Sequence, residues 1–246
     1  MPILTSKTMV TRRLGASGFS FSGTRVTDLA ATEYTLVGVA ADASASVGPF
    51  AKEIESCIKE VVAACRRSPR ADNLMLRLVT FNRRLKEIHG FRPLTDCPVD
   101  SYTDVVRCGG ITALHDAATT VVESVDAYGK TLCDADFDVN GIVFVITDGA
   151  DNASKHDAND LARALTTVRQ AEHVESLVSV LVGVNVGDPQ LDAYLQDLAQ
   201  TAGFTRYLPI GDANASSLAR LAQFVSRSIS AQSMALGTGA SQPIGF

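Results

Sequence analysis

Apolar runs of strand length alternate with segments of helical periodicity along most of the chain. The strand-like runs are Tyr34–Ala41, Leu74–Phe81, Ile142–Thr147, Leu177–Val184 and Thr205–Leu208, with Arg84–His89 as a short edge strand. Helices are predicted over Phe50–Arg66, Thr112–Ala127 (stopped by Gly129), Asp157–Ala171, from Asp188 to Gly203, and Asn214–Ser230. This alternation predicts an α/β fold with three layers, α/β/α, in which helices flank a doubly wound, mostly parallel central sheet.

Both ends of the chain are polar and rich in small residues. Residues 1–32 contain many Gly, Ser and Thr, and residues 233–246 have a similar composition. Such segments bury too little apolar surface to form a core of their own. The sequence therefore predicts an N-terminal leader or arm over 1–32, a single domain over 33–232, and a flexible or partner-docked tail over 233–246.

The composition of the chain indicates which classes of partner are improbable and which cellular compartment the protein occupies. The 246 residues carry a formal net charge of −5 without a basic block, which argues against nucleic acid or a membrane as the main partner. No run approaches the ~20 apolar residues of a transmembrane helix. The five cysteines are an odd number without a Cys-x-x-Cys pair, which is typical of free thiols in a reducing compartment. The chain is predicted to be cytoplasmic.

The chemistry-bearing residues fall where predicted strands end and helices begin. Asp42, Ser44 and Ser46 follow the first apolar strand, Thr112 follows a Gly-Gly turn, and Asp148 follows the strand that ends at Thr147. In open α/β sheets, ligands bind at the carboxyl ends of the strands. Two carboxylates and three hydroxyls form an all-oxygen set, which hard cations prefer. We therefore predict a site for Mg²⁺, with Mn²⁺ or Ca²⁺ as other candidates.

Two other roles compete with metal binding as explanations for these residues. Each Asp, Ser or Thr alone is more often a helix N-cap, but five at three separate turns make that role improbable for the set. A metal-dependent phosphohydrolase with Asp42 as nucleophile is the enzymatic alternative. It would need a second acid two residues later to protonate the leaving group, and that position is Ser44. The sequence therefore favours binding over catalysis.

Three segments carry a resemblance to a known family. They resemble the von Willebrand factor A (VWA) domain and its metal-ion-dependent adhesion site (MIDAS), over residues 34–232. The matching motifs are Asp42-x-Ser44-x-Ser46, Gly109-Gly110-x-Thr112-x-Leu114 and Thr147-Asp148-Gly149. The resemblance implies a VWA/Rossmann-like fold, ion coordination by the hydroxyls of Ser44, Ser46 and Thr112, and aspartates that act partly through water. It also implies that the ion takes an Asp or Glu side chain of a protein partner.

The resemblance is closest in its flanking residues to bacterial or phage cytosolic VWA proteins. It implies an adaptor or assembly subunit in a multi-protein system, such as the partner of a MoxR-type AAA+ ATPase in a stress or defence function. A structural subunit of a phage-like particle is the alternative. Near the site, Asp116 is predicted to be an exposed first-turn residue and Asp151 a capping or solvated one, with His115 and His156 at the surface.

Overall fold

The computed structural model of the protein describes residues 9–14, 18–211 and 214–235. In this part of the chain, the strands are β1 Met9–Arg13, β2 Ser20–Thr24, β3 Glu33–Asp42, β4 Leu74–Phe81, β5 Leu85–Pro93, β6 Asp138–Thr147, β7 Ser176–Val184 and β8 Arg206–Ile210. The α-helices are α1 Ala51–Arg66, α2 Leu114–Cys133, α3 Ala158–Gln170, α4 Pro189–Ala202 and α5 Ala215–Ala235. None of the helices described here is long and apolar enough to cross a membrane.

All eight of these strands belong to one sheet, in the order β1-β2-β5-β4-β3-β6-β7-β8. Strand β3 lies between β4 and β6 and is parallel to both, as β6 is to β7 and β7 to β8. The antiparallel pairs are β4 with β5 and β1 with β2. The strand order reverses beside β3, since β4 lies on one side and β6 on the other. A switch of this kind opens a crevice at the carboxyl ends of the strands.

Helices cover both faces of the sheet. Helices α1 and α5 pack on one face, where buried side chains such as Ile58 and Val225 meet the β3 and β6 residues. Helices α2, α3 and α4 pack on the other face through residues such as Val121 and Leu165. The central strands are buried on both faces, which accounts for their continuous apolar sequences. The predicted three-layer α/β/α fold is confirmed.

The described part of the predicted N-terminal arm contributes two strands to the sheet. Strands β1 and β2 form an antiparallel pair, and β2 joins the sheet beside β5, where Gly23 pairs with Phe91. Phe21 is buried against the rings of Phe91 and Tyr128, at centroid distances of 6.3 Å to each. Residues 1–8, 15–17 and 236–246 lie outside the described residues, and the domain limits at 33 and 232 stay predictions.

Two element limits differ from the sequence prediction. Helix α2 continues through Gly129 to Cys133. A Cβ atom at Gly129 would lie 2.8 Å from a methyl carbon of Val174. Glycine at this position therefore permits close packing and does not end the helix. Strand β5 is longer than predicted and has β2 on its outer side, so it is not an edge strand. By contrast, Gly203 ends α4 as predicted, with a φ of +76°.

Candidate metal centre

The two strand-end aspartates lie at the same edge of the sheet. Strand β3 ends at Asp42 and its parallel neighbour β6 ends at Thr147, with Ala41 paired to Ile146. Because parallel strands in register end at one edge, Asp148 follows β6 next to Asp42. Both carboxylates are buried, with 0% exposure for Asp42 and 7% for Asp148.

The Asp42 carboxylate is held in one orientation by two hydrogen bonds. The backbone N–H of Ser44 donates to Oδ1 at 2.8 Å, and the hydroxyl of Thr147 donates to Oδ2 at 2.6 Å. Burial raises the pKa of Asp42 to about 6, an effect that these hydrogen bonds oppose and that the charge of Asp148 reinforces. Burial also raises the pKa of Asp148, against the hydrogen bond from Ser46. Two buried carboxylates close together create a place where a cation is electrostatically favoured.

The three predicted hydroxyls meet the carboxylates at the same place. The hydroxyls of Ser44 and Ser46 share a hydrogen bond of 2.9 Å, and Ser46 donates to Oδ1 of Asp148 at 3.1 Å. A Cβ atom added at Gly149 would lie 3.5 Å from Oγ of Ser46 and 4.0 Å from Oγ1 of Thr112. Ser44 and Thr112 are buried, whereas Ser46 is exposed. The structure thus brings the five predicted residues together, with the approach from solvent on the Ser46 side.

Backbone hydrogen bonds fix the two loops that carry the hydroxyls against each other. The N–H of Ala45 donates to the carbonyl of Gly110 at 2.9 Å, and the N–H of Gly109 donates to the carbonyl of Ala43 at 2.9 Å. Gly110 has a φ of +80°, which glycine adopts without strain. Asn82 also holds this turn, since its side-chain amide donates to the carbonyl of Gly109 at 2.6 Å. Asn82 is a further residue of the site, and its only signal in the sequence is its place directly after strand β4.

The start of helix α2 is capped by the segment that follows Asp148. The N–H of Thr112 donates to Oδ1 of Asn152 at 2.7 Å, and the N–H of His115 donates to Oδ1 of Asp151 at 3.3 Å. The predicted capping role of Asp151 is thereby confirmed. Since other residues cap α2, the Thr112 hydroxyl is not committed to the N-cap role that is its ordinary alternative.

Asp116 corrects the prediction of an exposed first-turn residue. The residue is 6% exposed, and its Oδ1 accepts hydrogen bonds from the backbone N–H groups of Lys155 at 3.0 Å and His156 at 2.9 Å. The His156 ring contacts the same oxygen through Nδ1 at 2.7 Å. Asp116 therefore fastens the loop after β6 to helix α2. A single sequence position gives no signal for this, because the partners lie about 40 residues away.

The donor set fits a hard divalent cation. All five side chains offer oxygen, which hard cations prefer. Among the described residues, no group of three or more His, Cys, Asp and Glu residues is placed to hold a metal ion without the hydroxyls. Two carboxylates supply the compensating charge, and glycine at position 149 leaves room between the hydroxyls. Among the described residues, the groups that donate hydrogen bonds to the Asp42 carboxylate are the N–H of Ser44 and the hydroxyl of Thr147.

Comparisons with known proteins rest on the fold. No protein-family model matches the chain, and no curated protein matches it. Solved structures do: proximal thread matrix protein 1 (PTMP1) of the mussel byssus is 18% identical with a TM-score of 0.52, and the match covers 79% of this chain and 45% of that one. The PilB minor pilin of Streptococcus sanguinis is 14% identical with a TM-score of 0.58, and the match covers 86% of this chain and 64% of that one.

A third match, the protein BatB of Bacteroides thetaiotaomicron, is 14% identical with a TM-score of 0.52 and covers 80% of this chain and 99% of that one. The chain therefore spans less than half of PTMP1, about two thirds of PilB and nearly all of BatB. One PTMP1 structure is described as having a zinc-occupied MIDAS motif. At these identities the likeness shows the fold, and together with the strand order it supports a VWA-like fold for this protein.

Proposed function

We propose that this protein is a divalent-metal-dependent protein-interaction module that does not catalyse a reaction. The observation that carries the proposal is the convergence of Asp42, Ser44, Ser46, Thr112 and Asp148 at one sheet edge, where Ser46 is exposed. A buried oxygen cluster with one open side suits an ion that is held by the protein and approached by a partner.

Different residues of the site would have different roles in holding the ion. Thr147 and the N–H of Ser44 orient the Asp42 carboxylate, while Ser46 and Asp148 form the wall on the solvent side. When bound, the ion supplies an electrophilic coordination position for an Asp or Glu side chain of the partner. Hydroxyl donors neutralise less charge than carboxylates do, so a site with three hydroxyls keeps its attraction for an acidic ligand.

The same geometry argues against the phosphohydrolase alternative. Both oxygens of Asp42 accept hydrogen bonds, and the side chain is fully buried, so it is poorly placed to attack a phosphate group. Position 44 is a serine, which cannot act as the general acid that this chemistry needs. The matched structures support a binding role too, because their names describe a matrix protein, a minor pilin and a pilus adhesin.

We propose Mg²⁺ as the resident ion, with Mn²⁺ and Ca²⁺ as alternatives, because the donors are all oxygen. Because one PTMP1 structure has a zinc-occupied MIDAS motif, Zn²⁺ must be tested as a competing ion. Direct titration of the protein with Mn²⁺, followed by its paramagnetic resonance signal, measures the affinity. We expect Mg²⁺ to displace bound Mn²⁺ in this assay. If Zn²⁺ displaces Mn²⁺ and Mg²⁺ does not, the proposal is contradicted.

For the biological setting we propose a cytoplasmic adaptor or assembly subunit. The described cysteines are all free thiols, of which Cys57, Cys65 and Cys97 are buried, and this suits a reducing compartment. The partner would be a protein that presents Asp or Glu, such as a MoxR-type AAA+ ATPase of a stress or defence system. A subunit of a phage-like particle is the second candidate, in which the partner is a neighbouring subunit.

The test is a pull-down from the native host with the wild type, Asp42→Ala and the control Asp134→Ala, each with Mg²⁺ or a chelator. Asp134 is an exposed residue at the end of α2, so its removal changes charge without touching the site. A partner retained with Mg²⁺ by the wild type and Asp134→Ala, and lost with the chelator or Asp42→Ala, supports the proposal. A partner held equally under all conditions refutes it, provided that urea unfolding shows Asp42→Ala to be folded.

A further inference from the structure

Two loops at the edge of the sheet that carries the candidate metal centre contain exposed arginines. The turn 82–84 joins β4 to β5 at the carboxyl end of β4, and it contains Arg83 and Arg84. The loop before α2 contains Arg107, and all three arginines are exposed. Segments 82–84 and 105–111 contain no acidic residue, although the whole chain has a formal net charge of −5. We call the three arginines the basic rim, because they make this edge locally positive.

Hydrogen bonds hold the turn 82–84 against the loop that carries the ligand Thr112. Asn82 donates from its side-chain amide to the carbonyl of Gly109 at 2.6 Å, and its backbone carbonyl accepts from the N–H of Ala113 at 3.0 Å. Within the turn, Oδ1 of Asn82 accepts from the N–H of Arg84 at 3.0 Å. The turn is thus bonded to the chain on both sides of Thr112. Its backbone therefore has a fixed position beside the candidate metal centre.

The charges of the basic rim are not neutralised within the described part of the chain. Every ion pair found there uses a different cation, such as Arg67 with Glu60 or Arg70 with Glu33. The two aspartates of the metal centre offset the charge of a divalent ion, so the basic rim leaves the occupied edge positive. A guanidinium without an internal partner is available to a carboxylate, with which it forms two parallel hydrogen bonds.

An exposed aliphatic side chain lies beside the same site. Ile111 is 45% exposed, and Val10, at 38%, is the other large apolar residue exposed in this way among the described residues. Val10 is on the outermost strand β1, whereas Ile111 directly precedes Thr112. Because consecutive Cα atoms are about 3.8 Å apart, a side chain that reaches an ion at Thr112 passes close to Ile111. A partner of the metal centre therefore meets an apolar contact as well as positive charge.

We propose that the metal centre, Ile111 and the basic rim form one docking surface for an acidic protein segment with several carboxylates and an aliphatic side chain. One carboxylate of the segment binds the ion, others pair with the arginines, and the aliphatic side chain packs against Ile111. This inference rests on the proposed metal-dependent function and adds the chemistry of the partner. Since one exposed ion pair contributes little, the basic rim selects a cluster of acids over a single acid through several weak contacts.

The test is the binding of three dye-labelled nonapeptides to the full chain, measured by fluorescence anisotropy with Mg²⁺ or a chelator. The first peptide repeats Leu-Glu-Glu three times, so its binding does not depend on one register. The second keeps one central glutamate and has glutamine in place of the other five, and the third has serine in place of each leucine. With Mg²⁺, we expect the first peptide to bind about fivefold more tightly than either of the others. If either altered peptide binds as tightly as the first, or if the first does not bind, the proposal is overturned.

Variants of the basic rim locate the contacts of the acidic side chains. The double variant Arg83→Gln with Arg84→Gln should weaken binding of the first peptide about fivefold, and Arg107→Gln about threefold. The matched control is Arg67→Gln with Arg70→Gln, which removes two arginines at the opposite edge of the sheet, between the end of α1 and the start of β4. This control should bind the peptide like the wild type. An equal loss of affinity in the control and in the variants of the basic rim would refute the docking surface.

Two further readouts separate this inference from the proposed function. Ile111→Ser should abolish the preference for leucine over serine in the peptide, and the Arg83→Gln/Arg84→Gln variant should bind Mn²⁺ as tightly as the wild type, because the arginines contact the partner and not the ion. Peptide binding that needs Mg²⁺ but is unaffected by loss of the arginines would refute this inference and leave the metal-dependent function intact. Peptide binding that needs the arginines but is unchanged by the chelator would refute both.

Discussion

A buried ion pair ties strand β2 to the sheet, and its removal is the most informative stability experiment. The guanidinium of Arg77 on β4 is 2% exposed and donates from Nε to Oε2 of Glu87 at 2.9 Å. The other oxygen of Glu87 accepts from the backbone N–H of Ser22 at 3.1 Å and from its hydroxyl at 2.5 Å. Replacing Glu87 by alanine would leave the Arg77 charge buried and the Ser22 groups without this acceptor.

These contacts determine how much free energy of unfolding the Glu87 variants should lose. Removing one partner of a buried ion pair typically costs 3–5 kcal/mol, and the 24% exposure of Glu87 places this pair at the lower end, so we expect about 3 kcal/mol. Glu87→Gln keeps an acceptor for Ser22 and loses only the charge, so we expect about 1–2 kcal/mol. The control is Asp134→Ala, which breaks an ion pair with Lys130. Both side chains of that pair are about 60% exposed, so we expect the urea midpoint of this variant to stay close to that of the wild type.

The assay is urea unfolding of the three variants and the wild type, with the midpoints compared at a common m-value. Hydrogen exchange supplies a second readout, because the N–H of Ser22 should lose protection in Glu87→Ala before the central strands do. The double variant Arg77→Met with Glu87→Leu should recover most of the stability, since it removes both charges. A Glu87→Ala midpoint equal to that of Asp134→Ala would refute the reasoning.

Three further predictions test other parts of the structure. Gly90→Ala should destabilise the protein by about 3 kcal/mol and loosen β2, because the new Cβ would clash with the Ser22 carbonyl oxygen. Urea unfolding that matches the wild type would contradict this. Burial lowers the pKa of His89 to about 3, so between pH 6.5 and 3 the unfolded chain binds a proton that the folded one does not. Stability should therefore fall with decreasing pH by up to about 1.4 kcal/mol per pH unit, and His89→Gln should remove this component from urea midpoints measured between pH 7 and 5; an unchanged pH slope would refute it. Gly203→Ala should lower the free energy of unfolding by about 1 kcal/mol in the same assay, because alanine is strained at a φ of +76°, and an unchanged midpoint would count against that strain.

The sequence by itself determined the layers and the position of the candidate site. Strands β3, β4, β6 and β7 are continuous apolar runs because helices cover them on both faces, and the helices between them show one apolar side. The site could be located because Asp42 and Asp148 directly follow strands, and parallel strands end at one edge. Local pattern was sufficient there, since each signal lies within a few residues of the element that positions it.

Tertiary structure decided the features that depend on distant partners. Strand β2 is short and polar apart from Phe21, and it is held by Glu87 and by the rings around Phe21, which no local pattern shows. Asp116 is buried because a loop about 40 residues away supplies its hydrogen-bond donors. Gly129 lies inside helix α2, where the absence of a side chain lets Val174 approach the helix closely. Hydrogen bonding and close packing across long sequence separations form only in the folded chain, so periodicity and propensity could not predict them.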